Sequence, residues 1–210
     1  MNKEQVQHLI RVYGGWLILI IQSVGVILLG STWSDSFVFL TPVNLSIIAI
    51  LFFLVSSVPK SYAYYFMPAL LGWLIEVIGT NTGFPFGEYT YSGILGPGLF
   101  GTPVMIGVLW WVLIRSAYDL MGYITSSIFF KSILTGLSMV SLDVIIEPVA
   151  IELNFWQWTE PVVPIENYLT WFVCSALFAG LTDKGAAKNP LSHWIWIAMI
   201  LFFGALNVVY

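Results

Sequence analysis

The stretch FFKSILTGLSMVSLDVIIEPVAI, residues 129–151, decides the fold. It is mostly apolar, and it exceeds the roughly 20 residues that a helix needs to cross a bilayer. Its apolar residues are continuous rather than alternating, which favours a helix over a strand of a membrane barrel. Two acidic residues, Asp143 and Glu147, interrupt it. Because an acidic side chain inside a membrane is costly, such residues indicate a functional site.

The composition of the whole chain agrees with a membrane protein. Of its 210 residues, 59% are hydrophobic and only 9% are charged, whereas soluble domains contain about 25% charged residues. A soluble fold of this size could not hide so much apolar surface. Seven Lys and Arg against eleven Asp and Glu give no basic patch, which argues against nucleic-acid binding. The single cysteine, Cys174, excludes an intrachain disulfide and a multi-cysteine metal site.

Six further stretches are similarly long and apolar. We therefore predict an all-α integral membrane protein, in which residues 1–210 form a single domain and one bundle of about seven transmembrane helices. The first stretch lacks a small-residue cleavage site, so we expect it to be a span and not a signal peptide. The predicted spans are 12–31, 42–59, 62–80, 101–118, 129–151, 166–182 and 191–210.

Basic residues orient this bundle. All seven fall on one side of a seven-span arrangement, and the positive-inside rule makes that side cytoplasmic. We therefore predict a multi-pass protein of the cell membrane with its N-terminus inside and its C-terminus outside. The two long connections, 81–100 and 152–165, then lie outside, where their Gly, Pro and aromatic residues suit rigid turns. The seven basic residues are Lys3, Arg11, Lys60, Arg115, Lys131, Lys184 and Lys188.

Three acidic residues are predicted to lie within the membrane at similar depths: Glu76, Asp143 and Glu147. The spacing of four places Asp143 and Glu147 on one helix face. No Lys or Arg is available at that depth, and like charges in a low dielectric cannot all stay ionised. We therefore expect at least one to be protonated at neutral pH, beside a carboxylate that can accept a proton. The alternative is that these groups only join helices, for which Ser, Thr or Asn would be cheaper.

Aromatic and amide residues surround the predicted position of these acids. Most tryptophans of membrane proteins form an interfacial belt, and we assign Trp110, Trp111, Trp194 and Trp196 to that class or to lipid-facing surface. We expect Trp158→Phe to be mild if Trp158 is only such an anchor. Aromatic rings close to the acids could instead stabilise a cation. The candidate ligand-facing residues are Asn81, Tyr89, Tyr91, Trp156, Asn167 and Trp171.

The sequence lacks the motifs of several other classes of membrane protein. His8 and His193 form no histidine cluster, which argues against a di-iron enzyme. No aspartate-rich motif for a prenyl diphosphate is present, and the last span has no lysine to carry retinal. We expect no metal site.

Three segments together resemble one known family. They are EVIGTNTGFPFGEYTY at 76–91, DVIIEPVAIELNFWQW at 143–158 and VPIENYLTWF at 163–172. Their sequence is similar to that of the membrane carotenoid-biosynthesis proteins, which include the CruF-type carotenoid hydratases and bisanhydrobacterioruberin hydratases. The resemblance covers roughly residues 60–185.

The resemblance implies addition of water to the terminal C=C of an acyclic carotenoid end group, which gives a tertiary alcohol. For such an alkene, the chemistry requires protonation to a tertiary carbocation before water adds. The resemblance also implies a substrate such as lycopene or γ-carotene entering from the bilayer, and no organic cofactor. The chemistry of the residues suggests Asp143 as proton donor and Glu147 or Glu76 as the group that deprotonates water. Asn81 and Asn167 would order that water, and Trp171 and Tyr91 would face the cation.

Other functions remain open from the sequence. A related cyclase or isomerase would form the same carbocation but lose a proton instead of capturing water. A small membrane transporter also suits intramembrane acids, and a non-catalytic carotenoid-binding protein is a further alternative. The sequence leaves open a homodimer, the identity of the carotenoid, and whether one or both of its ends react.

Overall fold

A computed structural model of the chain describes residues 2–182 and 185–210. Among these residues, six helical segments are long and apolar enough to cross a membrane, and Ile165–Leu181 is a shorter apolar helix of 17 residues. The prediction of an all-α membrane protein is confirmed, whereas the number of spans and the orientation of the termini stay predictions. The helices are α1 (Lys3–Leu29), α2 (Ser34–Phe37), α3 (Thr41–Val55), α4 (Tyr62–Thr82), α5 (Val104–Met121), α6 (Ile128–Glu152), α7 (Ile165–Leu181) and α8 (Ser192–Val209).

The N-terminal helix begins earlier than its apolar stretch, because a capping box starts it. The Asn2 side chain accepts a hydrogen bond from the Gln5 backbone N–H (2.8 Å), and the Gln5 side chain accepts one from the Asn2 N–H (3.0 Å). This reciprocal pair satisfies two backbone donors at the helix start. Outside α1, the helix ends lie within about four residues of the predicted spans.

Glycines allow some of these helices to pack closely. α4 packs on α5, α6 on α7, and α1 on α8. A Cβ atom on Gly72 of α4 would lie 2.3 Å from the Trp110 ring of α5, and one on Gly136 of α6 would lie 2.7 Å from the Phe172 carbonyl oxygen of α7. Both contacts are shorter than a side chain permits, so each glycine fixes the distance between two helices.

The two long connections pair with each other. Strand β1 (Tyr89–Tyr91) follows α4 and runs antiparallel to strand β4 (Trp156–Trp158), which follows α6. Two shorter strands, β2 (Gly98–Leu99) and β3 (Thr102–Pro103), form a separate hairpin before α5. The sequence predicted only turns in these connections. The β1–β4 pair, called the ribbon below, places the C-terminal ends of α4 and α6 on the same side, as the sequence predicted.

Two residues with positive φ turn the chain from the helices into the ribbon. Gly83 ends α4 at φ 73°, a left-handed conformation that glycine adopts without steric cost. Asn154 follows α6 at φ 55°, which asparagine tolerates better than most residues.

The basic residues that the structure describes lie towards the end of the bundle opposite the ribbon. Arg115 is buried within α5, where its Nη2 lies 2.8 Å from Asp119 Oδ1. Lys188 Nζ donates to the Gly122 carbonyl (2.8 Å), which joins the α7–α8 connection to the end of α5. Lys184 lies outside the described residues.

The glycine packing predicts a clear stability difference. Gly72→Ala should lower stability by about 1–3 kcal/mol, because the new methyl group would overlap Trp110. Gly204→Ala in α8 is the matched control, since its Cβ would meet nothing within 4 Å. Thermal unfolding in detergent measures both. Equal midpoints for the two variants would contradict the close approach of α4 and α5.

Candidate functional site

Glu76 is surrounded by hydrogen-bond donors. It is buried in α4, and its Oε2 accepts from the Tyr89 hydroxyl (2.6 Å) and the Tyr91 hydroxyl (2.7 Å). Its Oε1 accepts from Trp110 Nε1 at 3.1 Å. Three donors on one carboxyl group compensate much of the cost of burying its negative charge. The geometry therefore suits a Glu76 carboxylate.

Glu147 of α6 is held in a similar way from the other strand of the ribbon. Its Oε2 accepts from Trp156 Nε1 (3.1 Å) and Trp158 Nε1 (3.0 Å). An indole N–H can only donate, so this oxygen of Glu147 acts as an acceptor in both contacts. The W-x-W sequence supplies both donors because alternate residues of a strand point to the same face.

Asp143 lies one turn before Glu147 and shares a partner with it. Asn167 Nδ2 of α7 donates to Asp143 Oδ2 (2.8 Å) and to Glu147 Oε1 (3.2 Å). Asp143 is fully buried, and its Oδ1 has no hydrogen-bond partner among the described residues. Asp143 therefore has fewer donors than the two glutamates.

The ribbon joins the surroundings of the two glutamates. Tyr89 is opposite Trp158 in the strand register, and Tyr91 is opposite Trp156. The ring centroids of these cross-strand pairs are 5.0 Å and 5.9 Å apart, which is the range of favourable aromatic contacts. One strand thus supplies hydroxyl donors to Glu76 while its neighbour supplies indole donors to Glu147.

The two tyrosines remain protonated donors. Burial, followed by the negative charge of Glu76, raises the pKa of Tyr89 and of Tyr91 well above the ordinary value of 10.0. Both phenols therefore keep their protons across the physiological pH range and continue to donate to Glu76.

An apolar cavity of about 220 Å³ ends at this cluster. Glu76 and Glu147 line it, together with apolar residues of α1, α3, α5 and α8. Asp143 is fully buried and does not line it. Trp171 of α7 also lines the cavity and stacks on Trp110, with ring centroids 4.8 Å apart and planes inclined by 26°. The arrangement brings two carboxyl groups and several aromatic rings to the wall of an otherwise apolar space.

The structure brings together all but one of the residues that the sequence singled out. Asn81 is exposed, and its amide donates to the carbonyl oxygens of Val77 and Phe100 (both 2.8 Å), away from the acids. The residues that meet at the cluster are Glu76, Asp143, Glu147, Tyr89, Tyr91, Trp156, Asn167 and Trp171.

Sequence reasoning missed two residues of the cluster. Trp110 was assigned to the belt or the lipid-facing surface, but it is 1% exposed and donates to Glu76. Trp158 was not among the candidate ligand-facing residues, but its Nε1 donates to Glu147. The two-residue period of W-x-W could have identified Trp158. Nothing in the sequence pairs Trp110 with Glu76, which depends on the contact at Gly72.

The carboxyl groups are directed at N–H and O–H donors. Within residues 2–182 and 185–210, no three His, Cys, Asp or Glu side chains are placed to hold a metal ion together. The site thus offers carboxyl groups, amides and aromatic rings as its chemical groups.

Comparison with known proteins identifies the family. A model of the carotenoid biosynthesis protein family matches residues 38–209. The chain belongs to this family. The match confirms the resemblance seen in the sequence, and it contains every residue of the carboxylate cluster.

The chain is similar in sequence to a bisanhydrobacterioruberin hydratase from Haloarcula japonica. It is 28% identical over 153 residues, which are 65% of this chain and 52% of that protein. This member of the carotenoid biosynthesis family therefore spans about half the length of the relative it matches. No solved structure matches the chain.

The indole donors of Glu147 can be tested by a double-mutant cycle. Trp158→Phe keeps an aromatic ring but removes the N–H, and should lower stability by about 1–3 kcal/mol, the usual cost of removing a donor from a buried polar group. In a Glu147→Gln background the same change should cost less, with a coupling of at least about 0.5 kcal/mol. Thermal or denaturant unfolding in detergent gives both values.

Trp33→Phe is the control, because Trp33 is 64% exposed. It should leave stability unchanged in both backgrounds. If Trp158→Phe behaves like Trp33→Phe, or if its cost is the same in the wild-type and Glu147→Gln backgrounds, Trp158 does not hold the carboxyl group.

Proposed function

We propose that this member of the carotenoid biosynthesis family adds water to the terminal C=C of an acyclic carotenoid end group. The observation that carries the proposal is that two carboxyl groups, each fixed by several donors, lie on the wall of an apolar cavity. An apolar polyene suits the cavity, and acid–base groups suit hydration of an alkene. The hydratase name of the Haloarcula japonica relative supports the same reaction.

The first step is protonation of the alkene. Asp143 and Glu147 lie on one helix face and both accept from Asn167. Because two negative charges this close in a buried site repel each other, we infer that the pair carries one proton. Because Glu147 lines the cavity and Asp143 does not, Glu147 delivers that proton. The proton adds to the less substituted alkene carbon and leaves a tertiary carbocation. The role of donor expected for Asp143 alone thus passes to the pair.

The second step is capture of the cation by water. The water oxygen forms a bond to the tertiary carbon, and the resulting oxonium loses a proton to the Glu76 carboxylate. Transfer of that proton back to the Asp143–Glu147 pair resets the site, so one water and no net proton is consumed. Glu76 suits the role of base because its three donors hold it as an anion in a fixed position.

The aromatic rings stabilise the cation between these two steps. Trp110, Trp171, Tyr91 and Trp156 line the cavity beside the carboxyl groups. A ring face near a desolvated cation contributes about 2 kcal/mol. The apolar walls admit few waters, which favours controlled capture of the reactive intermediate.

The product of the reaction is the direct test. Expression of the chain in a lycopene-accumulating host should give a pigment heavier by one water per reacted end, detected by mass spectrometry. A changed chromatographic position without a change in mass would indicate cyclisation or isomerisation instead. Unchanged lycopene and γ-carotene would contradict hydration of acyclic end groups.

Substitution of single acidic residues should show that the reaction depends on the carboxyl groups of the site and not on acidic residues elsewhere. Glu76→Gln and Glu147→Gln should each lower product formation by at least about 100-fold, the usual contribution of a positioned acid or base. Asp143→Asn should also be severely impaired, because it removes the shared proton. Glu166→Gln, an exposed acid at the start of α7, is the control and should retain activity. Near-normal turnover by Glu147→Gln would overturn its role as donor.

A further inference from the structure

A second polar feature lies on the wall of the same cavity, apart from the carboxylate cluster. Gln22 of α1 and Asn44 of α3 both line it. Asn44 Nδ2 donates to Gln22 Oε1 at 2.6 Å. Gln22 is 4% exposed, although it lies in a helix that otherwise presents apolar residues to the cavity.

This amide pair is incompletely satisfied. Asn44 Oδ1 is buried and has no hydrogen-bond partner among the described residues. Leaving a buried polar atom without a partner costs about 1–3 kcal/mol. The single hydrogen bond between the two amides is enough to join α1 to α3. The Asn44 Oδ1 atom is therefore available to a ligand in the cavity.

The pair and the carboxyl groups lie at similar depths. Gln22 is seven residues before the end of α1, and Glu76 is six before the end of α4, which places both about 9–11 Å from the helix ends. These ends lie on the same side, because the turn after β1 brings Gly96 against Pro42 at the start of α3. A ligand group between the two walls can therefore face the amides on one side and the carboxyl groups on the other.

We propose that Gln22 and Asn44 form a hydroxyl-binding subsite of this cavity. A hydroxyl group can donate to an amide oxygen or accept from an amide nitrogen, so it satisfies Asn44 in either orientation of the amide. The inference rests on the proposed hydration and deepens it. Two sources supply such a group: the water that captures the cation, and an alcohol already present on the carotenoid.

Deuterium labelling distinguishes the first source. With lycopene and membranes containing the full chain in D₂O, protonation of the alkene places deuterium on the end group. The label stays when water captures the cation, and also when the cation returns to an alkene by losing a different proton. If the subsite holds the water, Asn44→Leu should lower hydrated product at least about tenfold relative to deuterium in the recovered lycopene. Gln22→Met is a second, independent variant should Asn44→Leu fail to accumulate.

A matched pair of substrates tests the second source. If the subsite binds an alcohol on the ligand, the wild-type chain should prefer a carotenoid with a hydroxylated end group over lycopene, and the variants should lose that preference at least about tenfold. Ser46→Ala is the control for both arms, since the Ser46 hydroxyl bonds the Pro42 carbonyl of its own helix and does not line the cavity.

The outcomes are separable. A changed ratio of hydration to deuteration, or a lost preference, supports the subsite. If hydration and deuteration fall together and the substrate preference is unchanged, or if neither variant differs from Ser46→Ala, the subsite is overturned. Failure of the wild-type chain to hydrate or deuterate any substrate would instead overturn the proposed hydration.

Discussion

The pairing of β1 with β4 is the interaction on which the site depends. These strands follow different helices, and their register places Tyr89 opposite Trp158 and Tyr91 opposite Trp156. A shift of one residue in either strand would turn the aromatic side chains of that strand to the other face of the ribbon. The glutamate that they serve would then lose two donors at once. The short ribbon therefore holds Glu76 and Glu147 in a single arrangement, although α4 and α6 are separate elements.

Burial of carboxyl groups in a membrane protein explains why so many aromatic residues gather there. A carboxylate without partners in an apolar medium is very unfavourable, and water is scarce at this depth. Tyrosine and tryptophan provide one polar donor each on a large apolar body, so they satisfy the acids while keeping the cavity apolar. In the proposed reaction, the same rings that hold the carboxyl groups would lie beside the cationic intermediate.

The sequence predicted most of the helices and most of the residues that meet at the carboxylate cluster. Continuous apolar stretches predict helices, and the scarcity of charge makes Glu76, Asp143 and Glu147 stand out. The ribbon was missed because three-residue strands in Gly- and Pro-rich connections carry almost no periodic signal. Asn81 was misplaced because position in the chain alone does not reveal the direction of a side chain. Trp110 and the Gln22–Asn44 pair depend on contacts between helices, which one sequence does not disclose.

The central claim is that the ribbon makes one catalytic unit from two carboxyl groups. A double-mutant cycle on turnover with Tyr89→Phe and Trp158→Phe tests it most directly, since these residues are opposite each other and serve different glutamates. If the unit is shared, the double variant should lose little more activity than the worse single variant. If the two losses instead multiply, Glu76 and Glu147 are positioned independently, and the account is contradicted.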